Sequence, residues 1–287
     1  MANTYFCIST PSHCYDDLLE YYLTKAIYRN VATANSDHIH YKDIETDFTK
    51  TVATSPYKHY TTSLVVTSMT ASTVAGLSDA AAIETALKGY MNDYGPYFPP
   101  MSHWADSEDL DDLGQVGKVD KVVFKVITSN GSSVWGSPHG STMDTASYDK
   151  LKTNSNVKFI FVDFNDTNSS HFDKWWSRVE AVHSGDSTWT SSKAAFKAQS
   201  KSMLGCSQYT TEETQADGNH TPVTVKNYPL AYPTVVDGVK QTNAHVLEID
   251  KLLNKDASTI SALATFMGLN TSDFSDGAID DFKSDIA

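Results

Sequence analysis

"YFCISTPSHCYDDLLEYYL" (residues 5–23) reads as a strand, a tight turn and a helix. The run TYFCIS (4–9) is short and β-rich, and Pro11 and Ser12 then suit a helix start, with Ser12 as the cap. Tyr15, Leu18, Leu19, Tyr22 and Ala26 recur at helical spacing, so one apolar face continues to about residue 29. Strand-to-helix turns of this kind bind phosphate through backbone N–H groups and the positive end of the helix. This turn holds no glycine, lysine or arginine, and Asp16 and Asp17 follow it. Its geometry invites an anion and its charges repel one.

The same alternation continues along the chain. KHYTTSLVVTSM (58–69) has a β-branched centre and predicts a strand. Ser78 or Asp79 then caps a helix whose face is Ile83, Leu87, Tyr90, Met91 and Tyr94, stopped by GPYFPP (95–100). DKVVFKVIT (120–128) and VKFIFVDF (157–164) are two further strands, and Phe172, Trp175, Trp176 and Val179 mark a helix after the second. A shorter helix is expected within 190–204, and a polar, turn-rich, irregular excursion over 206–243. AHVLEID (244–250) is the last strand; Asp256 caps the next helix and Gly268 stands at its C-terminal end. The acidic tail beyond residue 273 carries spaced apolar residues, the pattern of a solvated face or, less commonly, of a surface for a basic partner. Strands alternating with helices predict an α/β fold: a central, mostly parallel sheet flanked by helices, in a single domain over 1–287, with polar insertions near 129–156 and 206–243.

Composition narrows the function classes. The 287 residues carry a net charge of −13, which disfavours nucleic acid and anionic lipid as partners. Arginine, the usual bidentate phosphate ligand, occurs only at Arg29 and Arg178. The cysteines, Cys7, Cys14 and Cys206, form no disulfide framework and no metal-ligand pattern, pointing to a reducing compartment. No apolar run is long enough for a membrane span, and MANTYFCIS lacks the marks of a signal peptide, so a soluble protein is expected.

HVLEIDKLL…ISALATFMGL (245–269) resembles the late strand–helix unit of P-loop sulfotransferases, and the diverged sulfotransferase-like proteins of marine phages are nearest in character. That resemblance places the first strand and turn where the family binds the 5′-phosphosulfate of its donor, 3′-phosphoadenosine 5′-phosphosulfate. Ser9 and Pro11 of STPSHCYDD match the family's loop; Ser12 stands at its basic position, His13 at its serine and Cys14 at its glycine. For the 3′-phosphate, the family ends a strand in arginine with a serine further on. Here the candidates end in Ile127 or in Asp163, the latter with Ser169 and Ser170 beyond it. FSDGAIDDFK (274–283) keeps the glycine, aspartate, aromatic and lysine of the family's C-terminal loop as Gly277, Asp281, Phe282 and Lys283, with Ser275 and Asp276 at its basic pair. The resemblance therefore implies donor contacts from Ser9, Thr10, Ser12, His13, Ser169, Ser170, Gly277 and Lys283. It also implies His103, in Ser102–His103–Trp104, as the base that takes the proton of a hydroxyl acceptor.

Plainer readings stand beside these. Ser12 can simply cap its helix, His103 can be a loop histidine beside a tryptophan, and Trp175–Trp176 can be core. Asp37–His40 (DHIH) holds two histidines without a recognisable third metal ligand, and SPHGS (137–141) sets a histidine beside flexible turns, open to a phosphate or acceptor role and equally to a plain loop. A donor site works only where lysines distant in sequence, such as Lys121, Lys125 or Lys283, converge on the 9–14 turn. Two functions follow. One is a sulfonyl transfer enzyme in the host cytoplasm. The other is a non-catalytic phage virion or interaction protein on the same scaffold, with a virion protein as partner in place of a hydroxyl acceptor.

Overall fold

A computed structural model of the chain describes residues 3–10, 16–34, 50–52, 60–62, 68–94, 120–127, 145–164, 168–182, 193, 209–214, 220–225, 235–236, 239–240 and 243–286. Its centre is a five-stranded parallel sheet built from β1 (Thr4–Ser9), β4 (Ser68–Thr70), β5 (Lys121–Ile127), β6 (Val157–Asp163) and β11 (Ala244–Glu248). The spatial order is β11–β6–β1–β5–β4, so the first strand lies in the middle. Tyr5, Phe6, Cys7 and Ile8 are all fully buried, because helices cover both faces of the strand. The α/β architecture expected from the alternation is the one observed.

Side-chain alternation sorts the core into two layers. Phe6 and Ile8 of β1 join Val123, Ile160 and Leu247 on one face. That face is covered by α1 (Asp16–Ala34), and further along by residues 170–182 and the C-terminal helices. Tyr5 and Cys7 join Phe124, Val126 and Phe159 on the other face, beneath α2 (Ala71–Gly76), α3 (Ala80–Tyr94) and α4 (Thr145–Leu151). The connection leaving β1 therefore enters one layer and those leaving β4 and β5 enter the other. Adjacent strands β1 and β5 thus send their chains to opposite faces, the arrangement that opens a crevice at the carboxyl ends of a parallel sheet.

Several segments differ from expectation. Helix α1 runs to Ala34, beyond residue 29, and its burial extends past one face to Glu20, Tyr21, Leu23, Lys25 and Ile27. It is packed by the sheet on one side and by C-terminal elements on the other. Among the described residues of the strand expected over 58–69, Ser68 and Met69 join the sheet in β4, whereas β3 (Tyr60–Thr62) pairs antiparallel with β2 (Lys50–Val52). The front half, KHYTTS, is too polar for a strand buried on both faces. The stretch 129–156 is not merely a polar insertion: α4 within it buries Tyr148 and Leu151 and forms the crossover from β5 to β6. The 206–243 excursion holds two hairpins, β7 (Tyr209–Thr214) with β8 (His220–Val225) and β9 (Val235–Val236) with β10 (Val239–Lys240). Threonine and valine give these segments β propensity that turn composition masks. Of 190–204, only Lys193 is among the described residues; 95–100 lies outside them.

After β11 come α6 (Ile249–Leu253) and α7 (Ala257–Met267). Asp256 caps α7 by accepting from Thr259 N–H at 2.8 Å, and Gly268 ends it at φ 64°, both at the expected positions. The acidic tail is more than a solvated face. Residues Thr271–Asp273 make a 3₁₀ turn and Asp276–Asp285 form α8, whose Ala278, Ile279 and Phe282 are buried. Phe282 packs on Tyr22 of α1 at 5.0 Å between ring centroids, and Asp273 accepts from Asn30 at 2.8 Å.

Candidate functional site

The carboxyl edge of the sheet is where this topology can hold a ligand. The strands end there in Thr70, Ile127, Ser9, Asp163 and Glu248. Ser9 pairs with Phe161 of β6 and is 5% exposed; Thr10, the next residue, is 1% exposed. Among the described residues the Thr10 hydroxyl has no hydrogen-bond partner, an uncommon state for a buried polar group. Opposite Ile8 stands Lys125, on the adjacent strand β5 and 5% exposed. It alternates with Phe124 and Val126 and so lies on the α1 side of the sheet. Glu20 and Lys25 of α1 are also buried, so charges lie on both of the elements packed against each other here.

On the β6–β11 side of this edge the strand ends are acidic. Asp163 ends β6 in register with Glu248 of β11. Lys251 donates to Glu248 at 2.5 Å, and this bond raises the lysine's pKa. Helix α5 (Ser170–Val182) starts beyond β6. Ser169 Oγ accepts from Phe172 N–H at 3.2 Å, so Ser169 is the cap of α5, and Ser170 is exposed in its first turn. His171, buried beside them, meets Asn254 Oδ1 through Nε2 at 3.2 Å. Trp175 and Trp176 of the same helix are core, and Trp176 Nε1 donates to Glu180 at 2.7 Å.

The structure thus brings Ser9 and Thr10 onto the exit of the central strand and sets Ser169 and Ser170 beyond the neighbouring one. The C-terminal residues lie apart from these. Gly277, in the first turn of α8, follows Asp273, which is tied to Arg29 and Asn30. Those residues are roughly 20 Å along α1 from Asp16, at 1.5 Å per residue. Gly277 and Lys283 are both exposed on a helix that packs against the outer side of α1, rather than on a loop. Ser12, His13 and His103 lie outside the described residues, as do Asp37–His40 and residues 137–141. Among the described residues no group of three or more His, Cys, Asp or Glu could hold a metal.

Of the three lysines expected to converge, Lys125 alone lies in the carboxyl half of a sheet strand. Lys121 starts β5 at the opposite edge, paired with Asp120 at 2.9 Å. Cys7 is buried in the centre of β1, which pushes its thiol well above the ordinary range. Glu20 was missed as a buried charge because it sits between Leu19 and Tyr21 on a helix with no clean polar face. Lys125 carried a signal: it is a single charge inside the apolar run VVFKVI. Among the described residues no helix is long and apolar enough to cross a membrane. Compared with known proteins, the chain matches no family model, no curated protein and no solved structure.

Proposed function

We propose that this chain is a sulfotransferase-like protein that takes a nucleotide phosphosulfate at the carboxyl end of β1 and passes its sulfonyl group to a hydroxyl acceptor. One observation carries this reading. The first strand is central in an all-parallel sheet, and it ends in two buried hydroxyl residues before the chain enters α1. In this reading Ser9, Thr10, Ser12 and His13 contact the 5′ end of 3′-phosphoadenosine 5′-phosphosulfate. Ser169 and Ser170 lie toward its 3′-phosphate, and Gly277 and Lys283 belong to the C-terminal segment that matches the family. The acceptor oxygen attacks sulfur, the bond from sulfur to the phosphate oxygen breaks, and His103 takes the acceptor's proton.

Titration calorimetry with the desulfonated product, 3′-phosphoadenosine 5′-phosphate, tests the reading. Saturable heat is expected, and none at millimolar nucleotide ends it. A second reading, a non-catalytic virion or interaction protein on this scaffold, is favoured by Asp163 and Glu248 at the rim and by the two hairpins of the 206–243 excursion. A measured mass in solution separates the two. Assembly into a ring or shell supports the second, and a strict monomer that turns over the donor rules it out.

A further inference from the structure

We draw no further inference here: the strongest candidate, the apolar pocket between α1, α6 and α8 lined by Leu19, Leu23, Leu252, Ile279 and Phe282, carries nothing, because nothing in the structure shows what covers it.

Discussion

Glu84 ties the amino edge of the sheet to α3. Its Oε1 accepts from Tyr5 Oη at 2.9 Å, and its Oε2 accepts from Asn154 at 3.1 Å and Asn156 at 3.2 Å. Burial alone would raise its pKa, but the hydrogen bonds from Asn154, Asn156 and Tyr5 outweigh burial and hold the carboxyl below its ordinary value. The same contact works the other way on Tyr5. Burial, with Glu84 beside it and against the opposing bond from Asn3, pushes its phenol up to about 12. Because the folded carboxyl has the lower pKa, its stabilising effect is complete above the unfolded carboxylate value. It is lost as pH falls through the folded one. Glu84→Ala leaves three donors short of an acceptor, and a cost of about 1–3 kcal/mol is expected in urea unfolding at neutral pH. The difference from wild type should shrink below pH 4 or so; a gap that stays constant into acid would show that packing, rather than charge, sets the cost. Asp256 behaves alike at the start of α7. Bonds from Ser258 and from the backbone and hydroxyl of Thr259 bring it down to about 2. Asp256→Ala should lower the melting temperature by roughly 2–4 °C at neutral pH, and the difference should fade as acid protonates the wild-type carboxyl.

Among the elements, α8 separates a structural role from a ligand role within one turn. Phe282 is 2% exposed against Tyr22, while Lys283 beside it is exposed. Phe282→Ala should therefore destabilise the fold by about 3–5 kcal/mol, measured by chemical denaturation. Lys283→Ala should leave stability within about 0.5 kcal/mol. A drop in nucleotide affinity in Lys283→Ala alone would bring that helix into the donor site; unchanged affinity removes it. Elements of this kind also show what the sequence made legible. The strands 121–127 and 157–163 were readable because both faces are buried and the runs are mostly apolar and β-branched or aromatic. The caps at Asp79, Asp256 and Gly268 were readable because capping is local chemistry: Asp79 accepts from Ala82 N–H at 2.9 Å. The C-terminal tail was not, since its acidic residues dominate composition while Ala278, Ile279 and Phe282 face α1. Its helix is decided by a partner surface more than 240 residues away in the chain, as the bond from Asn30 to Asp273 shows with a separation of 243. The candidate site was partly legible. Ser9 and Thr10 could be placed from the strand–turn pattern, whereas the register that sets Lys125 opposite Ile8 is a long-range pairing that no local spacing encodes.

At the scale of the whole molecule, two electrostatic ranges compete. The chain carries a net charge of −13, and its field acts on any approaching dianion before contact. In the proposed donor site the lysine in the carboxyl half of a strand is Lys125, 5% exposed and so poorly screened by salt. Added sodium chloride therefore weakens the repulsion more than it weakens the attraction. Binding of 3′-phosphoadenosine 5′-phosphate should hold constant or tighten as sodium chloride rises from about 0.05 M to about 0.5 M, over which the Debye length shrinks roughly threefold. A site lined by exposed basic residues would give the opposite trend, with affinity falling steadily as salt screens each contact. Titrations at the two concentrations decide between them. A steep loss of affinity would place the working cations on the surface and take Lys125 out of the site, while a flat or rising response locates the charge that matters inside the fold.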